Sequence, residues 1–287
     1  MATIPRGVLA VIGSGGIGLA SARRLAGGRQ IFIGDASQKK LDYAAQSLRD
    51  DGHDVETHIV DVAQFNSVVS FAQAAVKAGS VETVVHAAGL SPGMAAPDRI
   101  LAVDLLGTAN VIDAFYDVVG RGSSLTCIAS IARFGATPSP ELSRHLATAP
   151  RHQLLENDEL LKAVPDSASA YAVSKAANIL RVQSAARTWA AKGSRINTVS
   201  PGIVLTAMLR EELEGVSGPT IKGMIDGAPI ARGGTATEIA SVVAFLAGPD
   251  ASFITGSDVV VDGGFIAGSQ DFKFAELAGY KSGSPEQ

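Results

Sequence analysis

Tyr171 and Lys175 stand four residues apart in Tyr171-Ala172-Val173-Ser174-Lys175, at the head of a long stretch with helical patterning. Residues i and i+4 share one face of a helix, so the phenol and the ammonium point into one site. A neighbouring cation favours the phenolate and moves a poor acid or base toward working pH. Ser130 ends an earlier apolar run and is placed to hydrogen-bond the same substrate oxygen. The spacing alone is commonplace, because any amphipathic helix with a core Tyr and a solvated Lys carries it. It becomes chemistry only if the rest of the chain builds a site around it.

A second set of residues supplies that setting. The apolar run Val8–Ile12 leads into Gly13-Ser14-Gly15-Gly16-Ile17-Gly18 and then into a helical pattern. A G-x-G-x-x-G between strand and helix is the context in which this motif binds a dinucleotide. The glycines allow a tight turn and close approach to pyrophosphate, and the helix start offers free N–H groups and partial positive charge. Asp35 follows the next apolar run, 22 positions after Gly13, close to the spacing expected of a ribose-binding acid. Its carboxylate would accept both adenosine ribose hydroxyls and repel an extra phosphate. No Arg or Lys lies in the glycine loop or directly after Asp35, so the expected cofactor is NAD rather than NADP. Asp61-Val62 and Ala87-Ala88-Gly89 also end apolar runs, where open α/β sheets bind ligands.

The elements that must position these residues alternate regularly. Strand-like runs are Val8–Ile12, Gln30–Ile33, Asp54–Val60, Thr83–His86, Ser124–Ala129, Arg195–Val199 and Asp258–Val261. Helical patterns lie between them at Ile17–Ala26, Gln38–Arg49, Phe65–Ala78, Asp98–Val119, Ala170–Lys192 and Ala236–Leu246. Continuously apolar strands are covered on both faces. The alternation therefore predicts an α/β fold: a single Rossmann-like, doubly wound parallel sheet of about seven strands with helices on both faces. Residues 1–287 are expected to form one domain.

Composition excludes several function classes. The net charge is −4 and aromatics are 5%, which argues against a nucleic-acid partner. No run of 18 apolar residues predicts a membrane span, and the first residues lack a signal-peptide pattern. The single cysteine, Cys127, forms no internal disulfide, and no Cys/His cluster has metal-ligand spacing. The expected setting is the cytoplasm, with no resident metal.

Taken in order from Gly7 to Gly264, these motifs resemble the short-chain dehydrogenase/reductase family. The resemblance rests on the glycine loop, Asp61-Val62, Ala87-Ala88-Gly89, Ser130 and Tyr171-x-x-Ser174-Lys175. It extends through Asn197-Thr198-Val199-Ser200-Pro201-Gly202, Thr206, Pro229-Ile230-Ala231-Arg232, Ile254-Thr255-Gly256 and Val261-Asp262-Gly263-Gly264. It implies that Tyr171 is the general acid/base, that Ser130 polarises the carbonyl, and that Lys175 tunes Tyr171 and holds the nicotinamide ribose. It also implies that Pro201, Gly202 and Ile203 flank the nicotinamide and that Thr206 reaches its carboxamide or the phosphates. The implied reaction is hydride transfer between NAD(H) and a secondary alcohol or ketone, carried out by a homodimer or homotetramer. A different reading on the same fold is a non-catalytic NAD(H) sensor or interaction protein. Two departures stand out. The glycine loop is one residue shorter than the family's, and Asp104 stands where the family usually has an Asn in the proton path to the Lys. An ionised Asp accepts hydrogen bonds but cannot donate them.

Ser130 and Tyr171 are 41 positions apart. By the resemblance, roughly 28 residues are inserted there, and unstructured loops of such length are uncommon. The leucine pattern in 134–168 predicts two short helices, serving as a substrate-side wall or an interface element. Similar insertions occur in some bacterial hydroxysteroid dehydrogenase/carbonyl reductases. Met208, Leu209, Leu213, Met224 and Ile225 follow the Pro201-Gly202 turn and read either as a substrate wall or as ordinary helix packing. The tail 265–287 carries Phe272, Phe274 and Tyr280 and is expected to reach a neighbouring subunit or to fray. Subunit contacts are expected through the helices 98–119 and 170–192 or through the last strand.

Overall fold

The computed structural model describes residues 7–214 and 218–268. The tail residues Phe272, Phe274 and Tyr280, and the side chain of Met208, lie outside the described residues. Seven strands form one parallel sheet: β1 (Gly7–Ile12), β2 (Gln30–Asp35), β3 (Val55–Ile59), β4 (Ser80–His86), β5 (Ser124–Ile128), β6 (Arg195–Pro201) and β7 (Asp258–Val261). Their order is β3-β2-β1-β4-β5-β6-β7. β1 shows why the apolar runs become central strands. Val8, Ala10 and Ile12 face one layer of core while Leu9 and Val11 face the other, following the two-residue period of a strand.

Helices α1 (Gly16–Leu25) and α2 (Gln38–Asp50) cover one face of the sheet, and α3 (Phe65–Ala78) covers the other. The predicted helix at 98–119 runs unbroken as three segments: α4 (Pro97–Ile100), a wide π-helical turn (Leu101–Leu106) and α5 (Gly107–Tyr116). The amide of Gly107 reaches back five residues to the carbonyl of Ala102. Two contacts hold the turn open. The Thr108 hydroxyl donates to the Asp104 carbonyl at 2.8 Å. Gly107 also packs so closely on Val62 that a Cβ there would come within 2.6 Å.

The insertion folds as expected into two short helices, α6 (Pro140–Thr148) and α7 (Asp158–Ala163), separated by a 3-10 turn (Arg151–Gln153). Leu142, Leu146, Leu154 and Leu160 pack on Ile100, Leu101 and Leu105. They also pack on Ala170, Val173 and Ala177 of α8 (Ser167–Ala191). The buried Arg181 of α8 donates to the carbonyls of Leu146 and Ala149, both at 3.1 Å, closing the carboxyl end of α6. The insertion thus covers part of the α8 surface that the sequence had offered for subunit contact and touches α5 through Ala109 and the Arg151–Asp113 pair. α9 (Ala207–Glu214), α10 (Gly218–Asp226) and α11 (Ala236–Ala247) complete the described chain. Among the described residues, no helix is long and apolar enough to cross a membrane.

Candidate active site

The strand order reverses between β1 and β4, and the crevice beyond their carboxyl ends is where open α/β sheets take ligands. The glycine loop and the Ala87-Ala88-Gly89 turn meet there. Gly13 has φ +95°, and a Cβ on it would lie 2.4 Å from the Ala88 nitrogen, so only glycine fits. Gly18 sits so tightly on the Gly13 carbonyl that no side chain is possible. Gly15, by contrast, faces open space, and the start of α1 has no side-chain cap. An uncapped helix start beside an open glycine suits a pyrophosphate. Thr206 leans over this loop and would meet a Cβ on Gly16 at 2.9 Å.

Asp35 ends β2 and ties the short loop down. Its Oδ2 accepts the Ser14 amide at 2.8 Å and the Ser14 hydroxyl at 2.9 Å, and its Oδ1 accepts the Ser37 amide at 2.9 Å. Ser37, not Asp35, caps α2. Ser14 therefore spends its side chain on Asp35 rather than on open space. Asp61 accepts the Ala63 amide at 3.0 Å and pairs with Arg99 at 3.3 Å, a partner the sequence reading had not assigned. The Val62 carbonyl is held by Asn110 at 2.8 Å. Pro201 closes β6, Gly202 packs within 2.8 Å of Asp262 for a Cβ, and the Ile203 carbonyl accepts the Gly234 amide at 2.9 Å.

Tyr171 and Lys175 sit on the first turns of α8, which opens on a capping box of Asp166 and Ser169. The Lys175 ammonium lies 5.2 Å from the Tyr171 ring centre and 3.4 Å from the Ile128 carbonyl at the end of β5. Ser130 follows that strand, and its hydroxyl accepts the Ala132 amide at 3.1 Å to start a short 3-10 turn (Ile131–Gly135). The π-helical turn brings Asp104 into the same place. Its Oδ1 accepts the Leu90 amide at 2.8 Å and its Oδ2 lies 3.2 Å from the Lys175 ammonium. Both side chains are almost entirely shut from solvent, at 0% and 6% exposure. Burial alone would lower Lys175, but Asp104 and the Tyr171 phenol outweigh it and hold the ammonium above its ordinary range. Burial pushes the Asp104 carboxyl up, against the pull of Lys175 and the Leu90 amide.

Beneath this pair lie two neutral groups. His86 is buried, pushed down to about 3 by burial and by Lys175, with Nε2 3.1 Å from the Thr108 hydroxyl. It is a packed strand-end histidine at the head of the Ala87 turn. Burial pushes the Cys127 thiol up to about 12. A further buried group went unnoticed in the sequence: Asp258 accepts from Thr198 at 2.7 Å and Ser200 at 2.8 Å and pairs with Arg133 at 3.1 Å. The signal was an Asp at the head of an apolar run. Arg133 belongs to the turn that begins at Ser130, so this pair anchors that turn to β7.

A crevice with an open glycine loop and a buried Lys–Asp pair beside a half-buried Tyr at one strand edge defines a dinucleotide-binding oxidoreductase site. The chain belongs to the short-chain dehydrogenase/reductase family. The model of the short chain dehydrogenases matches residues 7–141, and that described as enoyl-(acyl carrier protein) reductase matches residues 155–266. A short-chain dehydrogenase/reductase of Alternaria brassicicola is 39% identical over 261 residues, covering 90% of this chain and 95% of the relative. The 3-alpha-hydroxysteroid dehydrogenase/carbonyl reductase of Comamonas testosteroni is 32% identical, covering 65% of this chain and 73% of the relative. Among solved structures, the 3-alpha-hydroxysteroid dehydrogenase of Pseudomonas sp. B-0831 complexed with NADH superposes with a TM-score of 0.72 at 26% identity. That match covers 92% of this chain and 98% of the other.

Proposed function

We propose that this single-domain chain is an NAD(H)-dependent dehydrogenase that interconverts a secondary alcohol and a ketone at the carboxyl edge of its sheet. The observation that carries the reading is the half-buried Tyr171 beside the buried Lys175–Asp104 pair, set against the Gly89 turn at the same strand edge as the open glycine loop. NAD(H), when bound, supplies or accepts the hydride. Gly13 to Gly18, with Ala87 to Gly89, hold its pyrophosphate and ribose side, and Asp35 accepts the adenosine ribose hydroxyls. Asp61 and Val62 border the adenine, Pro201 to Ile203 border the nicotinamide, and Thr206 closes over the phosphates. Lys175 holds the nicotinamide ribose and orients Tyr171. Ser130 donates to the carbonyl oxygen of the substrate, and Tyr171 gives that oxygen its proton in reduction or takes it in oxidation.

Asp35 favours NAD, because its carboxylate stands where a 2′-phosphate would come. Exposed Met94, Phe134 and Leu205 lie on the loops that follow β4, β5 and β6, and they favour an apolar, ring-borne alcohol. The hydroxysteroid relatives point the same way. The insertion at 134–168 walls this side and covers part of the α8 surface. Self-association then falls to the β7/α11 edge, where Phe245, Phe253 and Val260 are exposed.

Titration with NADH and NADPH by fluorescence, with turnover of cyclic ketones and 3-ketosteroids by wild type and Tyr171→Phe, tests the reading. The expected result is tighter NADH binding, turnover in the wild type, and its loss in the variant at unchanged NADH affinity. Undiminished turnover in Tyr171→Phe, or failure to bind either dinucleotide, overturns it.

A further inference from the structure

We propose that Asp104 is a fixed counter-charge to Lys175: it offsets the ammonium's field at the Tyr171 phenol, so that proton transfer operates at higher pH than a neutral residue at 104 would allow. The inference rests on the acid/base reading of Tyr171. Three observations carry it. The carboxylate and the ammonium are 3.2 Å apart and both buried. Oδ1 accepts the Leu90 amide at 2.8 Å, and Oδ2, which has no hydrogen-bond partner among the described residues, has the Lys175 ammonium 3.2 Å away, so the cation in contact and the amide favour the carboxylate against the cost of burial. Gly89 makes room for the contact, since a Cβ there would press within 3.3 Å of both Lys175 Nζ and Asp104 Oδ2.

A lone buried ammonium would draw the phenol toward phenolate. An ammonium with an anion in contact is a dipole, and its pull on a third group is much weaker. Among the described residues, no other group near the cluster restores that charge. His86 from β4 and Cys127 from β5 are neutral at working pH. Arg133, from the turn after β5, is taken by Asp258 of β7. Further along α8, Arg181 caps α6, and Arg151 of the insertion pairs with Asp113 of α5. An amide at 104 keeps the acceptor for Leu90 and removes only the charge. Asp104 therefore acts through Lys175 as a positioning residue and does not touch the reacting atoms.

The test is the ionisation of Tyr171 itself, read by 13Cζ-tyrosine NMR on the full chain without substrate. The chain has four tyrosines, so Tyr171→Phe assigns the signal. The proposal expects Asp104→Asn and Asp104→Ser both to move the Tyr171 midpoint about one to two pH units toward acid. The rising limb of alcohol oxidation should move by the same amount. An unmoved or alkaline-shifted midpoint, in whichever of the two variants keeps NADH binding and thermal stability, overturns the proposal. The NMR readout separates the two claims. A moved midpoint with turnover indifferent to Tyr171 defeats the catalytic reading and leaves the electrostatic one standing.

Discussion

The two ends of the sheet both hold half-buried or buried cations, and they use them in opposite ways. At the amino edge, Arg29 donates to the Leu25 carbonyl and pairs with Glu82. Arg195 reaches the carbonyls of Leu246, Ala247 and Gly248 at the end of α11. These cations cap helix carboxyl ends, where the backbone leaves acceptors without partners. That edge also has a solvent-open cleft, lined by Arg29, Arg121 and Arg195, but two of its three arginines are already spent on carbonyls. At the carboxyl edge, Lys175 faces a carboxylate and a phenol in a nearly dry crevice, with one carbonyl beside it. Desolvating such a pair costs several kcal/mol per ion, and the fold does not need it to close a helix. A cation that answers backbone carbonyls is structural, and one set against titratable side chains beside an open glycine loop is chemical.

That contrast breaks if mutations at the two edges act alike. Ser130→Ala should cut turnover about 10²- to 10³-fold, by analogy with loss of one donor to a developing oxyanion. NADH affinity and the melting temperature should stay close to wild type; steady-state kinetics with a thermal scan checks this. Arg195→Met should do the reverse, costing about 1–3 kcal/mol through unpaired carbonyls while kcat holds, as urea unfolding and turnover will read.

His86 sharpens the contrast, because it sits under the active edge yet should act on stability. Its folded value, about 3, lies below the ordinary 6.5, so the unfolded chain takes up the proton first. Its contribution is complete above pH 6.5 and is lost as pH falls toward 3. The slope is about 1.4 kcal/mol per pH unit. Urea unfolding across this window should show that slope in the wild type and lose it in His86→Asn. The smallest expected effect is at Asp35, which latches Ser14 and in the proposed function accepts the adenosine ribose hydroxyls. Asp35→Ala should weaken NADH about tenfold and strengthen NADPH by removing the charge that repels its 2′-phosphate, by fluorescence titration.

The sheet was legible because its central strands are buried on both faces and so read as apolar runs, while the edge strands β3 and β7 are only partly buried. Six of the seven runs kept their places within two residues; β4 began three residues early, at Ser80. β6 ran on to Pro201 because β7 pairs with it there, Pro201 opposite Val261. The glycine loop and the Tyr171–Lys175 spacing were equally plain, since both are local. The helix expected at 98–119 runs unbroken from Pro97 to Tyr116, but its π-helical turn was not foreseen, because such a turn adds one residue without a marker of composition. What opens it are distant contacts, Gly107 on Val62 and Thr108 beside His86. For the same reason the resemblance linked Asp104 to Lys175 only through a proton path, and their direct 3.2 Å contact was hidden: α8 packing across the turn brings the two together. The Arg133–Asp258 anchor was hidden likewise, each member being an ordinary charged residue until the sheet sets them together.

The central claim is that Tyr171 and a bound nicotinamide share one reaction at the carboxyl edge. Single-turnover transfer of deuterium from C4-deuterated NADH to a cyclic ketone, in wild type and Tyr171→Phe, tests it most directly. The account predicts label on the carbinol carbon with the wild type, and a rate at least about 10²-fold lower in the variant at equal NADH occupancy. Equal rates of label transfer in the two proteins would contradict it.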